Sequence, residues 1–523
     1  MSGSLHHEIE RKFDGHPQRP LSAEGLPGVA RVVRGGIDVL DAVYYDAEGL
    51  SLLGHGITLR RREGGDDAGW HLKLPAPDGG RDEIQVPLDE GAAGPPPELL
   101  RRTRVYAGGA EPRPVLHLRT TRELTLLTDA ESRTVAEVAF DHVAARVLDP
   151  VTDASAIAPG GAAELVAVPQ TELTTWSETE VELAAAVESD DGTALLDAVT
   201  DLFAAQGVHP SQASSKAARA LGTALPPAAL LRQDISAAGP TAEALVGALR
   251  HSTDTLLALD QAVRADEPDA VHRMRTTARR LRSLLTILGR LSDRAGTDPM
   301  AAELRWLGQV LGALRDPQTL GERLTSQCET LPAAADPGAT AALVRAWTDR
   351  SCAAARQELL RAMDSARYFT LVDNLERAAA QPPLPPGRRY GRKAGRRLLR
   401  HEIRRIGRRA EAARRLPPGP GRDRALHLTR KAAKRARYGA EGLAAVLGKA
   451  GGRRAKSLKK IQKHLGRHQD AVAAEQVLTE LARAPGTTAA GAFACGVLFA
   501  RQRRRADADV AVAWRAEEKS ARA

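Results

Sequence analysis

Near the amino terminus, charged side chains recur at every second position. In His7–Phe13, residues Glu8, Glu10 and Lys12 fall on one face of an extended strand, with Ile9, Arg11 and Phe13 on the other. Glu178, Glu180 and Glu182 stand in the same way opposite Thr179, Val181 and Leu183. Arg60 and Arg62 are two apart, as are His71 and Lys73. Carboxylate oxygens suit a hard divalent cation such as Mg²⁺ or Mn²⁺. Guanidinium and ammonium groups suit phosphate oxygens, arginine through its bidentate fork. A site offering both is suited to a phosphate chain bridged by a divalent metal. Phosphoryl transfer needs mainly positioning and charge neutralisation, so these residue types suffice for chemistry. No Ser–His–Asp triad, P-loop or dinucleotide-binding fingerprint is evident.

The elements that must position these groups are short strands separated by Gly, Pro and Asp clusters. Expected strands are 7–13, 57–63, 69–74, 124–128, 134–140 and 177–183, with one helix over 191–205. Residues 75–98 and 149–170, rich in Gly and Pro, read as loops. An open sheet could turn its charged face to water. Sign-segregated charge on four strands instead favours a closed barrel with a polar interior that holds a ligand.

The 523 residues suffice for two to four domains. Aromatics are only 3%, so the cores must be built from Leu, Val and Ala. Three cysteines lack metal-ligand spacing, which fits a reducing, cytoplasmic setting. Glu8 and Glu10 exclude a signal peptide at the start. The longest apolar stretch, 488–500, is too short to span a bilayer, and no membrane insertion is expected. The net charge of +10 hides an asymmetry. Residues 1–225 hold 20 Lys+Arg and 35 Asp+Glu, a net of −15; the remainder hold 55 and 30, a net of +25. The basic part should attract a polyanion: nucleic acid, an acidic membrane surface or polyphosphate.

From Thr241 onward the apolar spacing becomes helical. Pro382-Pro383-Leu384-Pro385-Pro386-Gly387 divides this region into halves that repeat one another. His272 is followed by Arg275, Arg279, Arg280 and Arg282; His427 is followed at the same offsets by Arg430, Lys434, Arg435 and Arg437. Leu311-Gly312 with Asp316 matches Leu465-Gly466 with Asp470. A repeat of this length points to a duplicated helical bundle. His272, Arg275, Arg279 and Arg282 form one helix stripe, and His427, Arg430, Lys434 and Arg437 another. Like charges at this spacing destabilise a helix, and a bound anion would offset that. Residues 385–470 hold 28 Lys+Arg against 5 Asp+Glu. With few aromatics beside them, base stacking is disfavoured, and nucleic acid is expected only as a non-specific polyanion competitor.

Glu8-Ile9-Glu10-Arg11-Lys12 resembles the ExExK signature of the CYTH domain, the triphosphate tunnel metalloenzymes. The resemblance continues in order through Tyr44-Tyr45-Asp46, Arg60 and Arg62, Lys73, Arg119 to Arg122, Glu137, Asp141, the Glu178–Glu182 triple and Ser215-Lys216, covering residues 3–222. It implies an antiparallel eight-stranded β-barrel tunnel. Glu8, Glu10, Glu180, Glu182 and Asp141 would hold Mg²⁺ or Mn²⁺. Lys12, Arg60, Arg62, Lys73, Arg119, Arg122 and Lys216 would hold the phosphates, although Arg119 and Arg122 lie on opposite strand faces. Glu8, Glu10 and Lys12 would form the catalytic group, with Lys12 orienting or deprotonating the attacking water.

The duplicated His–Arg blocks, with Leu311–Asp316 and Leu465–Asp470, resemble the CHAD domain. That resemblance implies an all-α domain over 241–515, after a linker at 223–240, with two pseudo-symmetric four-helix bundles at 241–381 and 388–515. The family's basic cavity binds inorganic polyphosphate. Pro317-Gln318 departs from the family pattern, and Pro317 is expected to alter the helix start there. The two histidines read equally as charge switches or as buried hydrogen-bonding residues. The leading expectation is a multidomain α+β, cytoplasmic, metal-dependent hydrolase of inorganic triphosphate or a small organic triphosphate, whose helical half binds longer polyphosphate, delivering substrate or anchoring the enzyme to polyphosphate granules. A silent polyphosphate-binding scaffold, an adenylate cyclase and a nucleic-acid binder are its alternatives.

Overall fold

The computed structural model describes residues 4–76, 80–88, 94–148, 173–184, 189–222, 232–292 and 294–522. The chain forms two compact units, Met1–Leu231 and Arg232–Ala523. The loop expected at 149–170 and the first half of the linker, 223–231, lie outside the described residues.

The first unit is one antiparallel sheet. Its strands are β1 (Ser4–Glu8), β2 (Glu10–Asp14), β3 (Arg31–Asp46), β4 (Thr58–Glu63), β5 (Gly69–Pro75), β6 (Arg81–Pro87), β7 (Arg113–Thr128), β8 (Thr134–Val147), β9 (Leu173–Leu183) and β10 (His209–Pro210). They are ordered β1-β6-β5-β4-β3-β7-β8-β9-β2-β10. The expected closed, eight-stranded barrel is therefore corrected: ten strands follow an open order. The first extended segment breaks at Ile9, so β1 pairs with β6 while β2 pairs with β9. Among the described residues no ladder closes the sheet; chain continuity through Ile9 links strands near its two margins. A second correction concerns 75–98, read as a loop, which contains β6.

Short helices α1 (Ser51–Gly54) and α2 (Pro97–Thr103) precede α3 (Ser189–Ala204) and α4 (Lys216–Ala220). They explain why the strands turn their charge to one side. Phe13 and Val181 pack with Leu196, Val199 and Phe203 of α3. Leu59, Trp70, Leu72 and Ile84 pack with Leu99 of α2. Burying these apolar faces under helices is the strongly favourable term, at about 25 cal/mol per Å². The alternate positions, bearing the charges, are left on the opposite face. There α4 packs Ala217 and Leu221 on Ala42, Leu116, Leu118 and Val143, and carries Lys216 alongside the charged positions.

The second unit is helical: α5 (Pro240–Arg264), α6 (Ala270–Leu288), α7 (Asp298–Cys328), α8 (Pro337–Met363), α9 (Ala366–Ala380), α10 (Arg392–Arg414), α11 (Pro420–Gly442), α12 (Ala444–Arg483) and α13 (Ala489–Arg522). Consecutive helices pack within α5–α8, with α9 against α5 and α7, and again within α10–α13. The first half thus has five helices where four were expected. The chain breaks at Asp364, and Ser365 caps α9 by accepting the Tyr368 N–H. Pro317 does not start a helix; it lies inside α7. The second half buries Leu399, Ile406, Leu426, Leu458, Ile461, Leu465 and Val510 around Ala432, Ala433, Ala436 and Ala440. Small residues on α11 let its neighbours approach closely, which is how so few aromatics suffice.

Candidate functional site

The inner face of the sheet unit encloses a channel of about 320 Å³. Glu8, Glu10, Lys12, Arg60, Arg62, Lys73, Arg122, Glu180, Glu182 and Lys216 all line it. Strand parity brings them together: Glu10 faces Glu182, Lys12 faces Glu180, and Arg122 faces Asp141 across their ladders. Arg119 is corrected. It is exposed on the outer face of β7, three residues from Arg122 and of opposite parity, in register with Asp41.

The channel is sign-segregated. On one flank Lys73 Nζ lies 2.6 Å from Glu8, and Glu8, Glu10, Glu83 and Glu182 feel one another. Burial and a hydrogen bond with Glu83 push the Glu8 carboxyl up to about 8, against the pull of Lys73. Burial also raises Glu182, with Glu10, Glu180 and Glu83 adding to it against Lys73. This flank carries more carboxylates than cations to neutralise them. On the other flank burial, Arg60 and Arg122 push Arg62 down to about 9. The Nε atoms of Arg60 and Arg62 are buried without a hydrogen-bond partner. Arg60 otherwise donates to the Tyr44 hydroxyl at 3.3 Å.

Between the flanks is an ion-pair hub. Glu180 accepts from Lys12, from Arg122 at 2.9 Å and from Lys216 at 2.8 Å. Burial works to raise it, but Lys12, Lys216 and Arg122 outweigh that and hold it well below the usual carboxylate range. Asp141 is fully buried, binds Arg122 in a fork at 2.9 and 2.7 Å, and lies 2.9 Å from Lys216. Glu180 and Asp141, both expected on the metal, are thus directed to the phosphate-side cations, whereas Glu8, Glu10 and Glu182 share the acidic flank. Among the described residues no three acidic, His or Cys groups converge closely enough to hold a metal as they stand. The donor chemistry nonetheless fits a hard divalent cation, because the flank consists of carboxylates short of positive charge.

Glu83 escaped the sequence reading because β6 lay in an apparent loop. It is buried, hydrogen-bonds His71 at 2.8 Å and lies 3.9 Å from both Lys73 and Arg60. The signal was present as Arg81-Asp82-Glu83-Ile84-Gln85-Val86, an alternating run. Burial lowers the His71 ring to about 4, so this histidine is a neutral positioning group. Glu137 lies exposed at the channel rim.

In the helical unit α6 packs on α11, and the two basic stripes meet there. Burial, Arg275 and Arg430 lower Arg279 to about 10. Burial with Arg430, Arg279, Arg275 and Arg282 pushes Lys434 down to about 6. Arg282 feels Arg305 and Arg435. Two expected residues stand apart. Arg437 is tied to Glu441 at 2.7 Å and Gln462 at 3.0 Å. His272 is exposed, whereas His427 is half-buried and held low by burial, Lys431, Arg430 and Lys434.

The repeated Leu-Gly-x-x-x-Asp blocks acquire a reason. A Cβ on Gly312 would lie 2.9 Å from Arg275 Nη2, and one on Gly466 3.4 Å from Arg430 Nε. Each glycine makes room for the arginine of its own half. Asp316 orients Arg275 through a fork, one arm of 2.6 Å, and Asp470 attracts Arg430. Gly312→Ala should therefore move the Arg275 guanidinium while leaving the helices folded. Polyphosphate affinity is expected to fall about fivefold, roughly 1 kcal/mol. Titration beside a thermal melt checks this; unchanged affinity would show that the guanidinium position does not matter.

The CYTH domain family matches residues 6–221 and the CHAD domain family residues 247–479. A curated relative, the uncharacterized protein Rv2226 of Mycobacterium tuberculosis, is 34% identical over 505 residues, 95% of this chain and 93% of its own length. The counterpart MT2285 from another strain matches equally. The chain belongs to the CYTH–CHAD proteins: a triphosphate-tunnel domain followed by a CHAD domain. Among solved structures, PptA from Streptomyces chartreusis is similar at 24% identity and a TM-score of 0.45, covering 55% of this chain and all of that one. The CHAD domain from the plant Ricinus communis is similar at 30% identity and 0.42, covering 54% and 94%.

Proposed function

We propose that the channel hydrolyses inorganic triphosphate or a small organic triphosphate with a divalent metal, and that the helical unit binds inorganic polyphosphate. The sign-segregated channel carries this reading. Its acidic flank has fewer cations than carboxylates while its basic flank holds buried arginine Nε–H groups without acceptors, so a metal–phosphate complex satisfies both at once.

Glu8, Glu10 and Glu182, with Glu83 beside them, would hold Mg²⁺ or Mn²⁺. When bound, the cation neutralises phosphate oxygens and acidifies water. Arg60, Arg62 and Lys73 take the oxygens of the chain. Arg122 and Lys216 add positive charge from positions fixed by Asp141 and Glu180. Lys12 Nζ lies between Glu10, at 3.1 Å, and Glu180. Burial works to lower its pKa, but Glu180 and Glu10 outweigh burial and hold it raised. It stays an ammonium, and therefore orients the attacking water rather than deprotonating it. The water oxygen bonds to the terminal phosphorus, the anhydride P–O bond breaks with its electrons leaving on the diphosphate oxygen, and the water's surplus proton passes to the released phosphate oxygens or to solvent.

Purified protein should release phosphate from triphosphate with Mg²⁺ or Mn²⁺, and lose that release on chelation. A panel of triphosphate, ATP and thiamine triphosphate assigns the substrate. Cyclic AMP from ATP would select a cyclase; no turnover with polyphosphate still bound would select a scaffold. No helix among the described residues is long and apolar enough to cross a membrane. We place the protein in the cytoplasm, held at polyphosphate granules by its helical unit.

A further inference from the structure

The stripes on α6 and α11 account for few of the cations in the second half of the helical unit. Most of the remainder lie on the outside of α10 and α12. On α10, Arg392, Arg396, Arg400, Arg404 and Arg408 recur every fourth residue and are all exposed. The inner side of the same helix carries buried Glu402, paired with Arg435 at 2.6 Å. Beyond the break at Gly448, Lys449, Arg453, Lys456, Lys460, Lys463 and Arg467 of α12 recur at spacings of three and four, also exposed. Of both rows only Arg467 makes an ion pair among the described residues, with Asp509 at 3.4 Å. Each row extends about 25 Å at 1.5 Å per residue. Arg396, Arg400 and Arg454 line one groove of about 210 Å³ between α10 and α12, which joins the rows there.

Rows of like charge one turn apart weaken their own helix. Apart from Asp509, no carboxylate among the described residues of the unit pairs with them, in contrast to Arg275, Arg435 and Arg437, each tied to a carboxylate. The rows are linear and solvent-facing, and among the described residues none of their cations stacks on an aromatic ring, which suits a flexible chain of phosphates better than bases that must stack. We infer that the outward rows of α10 and α12 form a second track for polyphosphate, engaged only by chains long enough to occupy it together with the α6–α11 site. This rests on the polyphosphate reading above. Once one segment of a long chain is held between α6 and α11, the rest meets the outer rows at high effective concentration. Affinity should thus rise with chain length more steeply than a single site allows.

The test uses the full-length protein with Arg396→Glu/Arg400→Glu/Arg404→Glu, and the triple glutamine variant as a milder version. Short-chain and long-chain polyphosphate are titrated over a range of salt. Each phosphate left without its arginine lowers the slope of log K against log salt by about 0.7. The glutamine triple should reduce the long-chain slope by about 2 and long-chain affinity at least tenfold. Short-chain binding and triphosphate turnover should stay unchanged, and the melting temperature of the glutamine variant should not fall. An unaltered long-chain slope in both variants overturns the second track and leaves the rows as a solvated face. Loss of duplex DNA binding with intact long-chain binding overturns it in favour of nucleic acid. Arg279→Glu/Arg430→Glu separates the underlying reading: if short chains still bind that variant, the α6–α11 site itself is wrong.

Discussion

Glu10→Gln should lower kcat/KM for triphosphate about 10²- to 10³-fold while leaving the fold intact. Glutamine keeps the volume and can still accept from Lys12, but removes one charge from the acidic flank. Glu10 is held ionised: burial works to raise it, and Lys12 and Lys73 together outweigh burial. Its loss should weaken the divalent cation directly, on the scale typical of removing one preorganised electrostatic group. Excess Mn²⁺ should restore part of the rate. Stability should not fall, because Glu182 and Glu180 lose a like-charged neighbour and Lys12 keeps Glu180. Full turnover in the variant would refute the assigned site.

The same flank sets a pH dependence. With Glu8 pushed up to about 8, the metal-free protein holds a proton there at neutral pH. Metal binding should expel it, so apparent metal affinity should rise with pH until about 8. The stability term runs the other way. A carboxyl whose folded pKa is raised contributes fully below its unfolded value near 4.5, and that contribution is lost as pH rises through 8. Added metal should flatten this decline, measured as melting temperature against pH.

Lys434→Met should raise the stability of the unliganded protein by about 1–3 kcal/mol and weaken polyphosphate binding about tenfold at neutral pH. Burial, then Arg430, Arg279, Arg275 and Arg282, depress this lysine to about 6. A depressed pKa contributes stability above the unfolded value of 10.5, and that contribution is lost as pH falls towards 6. Between those limits the folded state resists a proton that the unfolded chain accepts. Methionine removes the conflict. A phosphate chain also removes it, by supplying negative charge, so binding near neutral pH should take up close to one proton. Calorimetry in buffers of different ionisation enthalpy measures that uptake. Affinity should strengthen as pH falls from about 8 towards 6. Absent proton uptake, or a variant that binds as tightly as wild type, would remove Lys434 from the site.

Much of the candidate site was legible because strand parity is a local property. Period-two spacing placed Glu8, Glu10 and Lys12 on one face and Phe13 on the other, and the structure turns those faces to the channel and to α3. The matched offsets in the two helical halves likewise named the arginines that meet between α6 and α11. Glu83 was hidden by local composition, since β6 sits in a Gly- and Pro-rich stretch that masks its alternation. Arg119 and Arg122 could not be separated by type alone; their register against β8 and β3 separates them.

The amino-acid order alone determined which side chains share a face, that the helical half is duplicated, and that an acidic part precedes a basic one. Tertiary structure decided which faces oppose one another, which cations are neutralised, as Arg122 is by Asp141, and which keep an unpartnered buried N–H, as Arg62 does at Nε although its Nη2 pairs with Asp67. It also decided that the sheet is ten strands in open order. The physical reason is range. Side-chain direction follows from a residue and its nearest neighbours. Electrostatic balance depends on groups far apart in the chain, 168 positions for Lys12 and Glu180 and 205 for Asp14 and Arg219, that only ladder register and helix packing bring together.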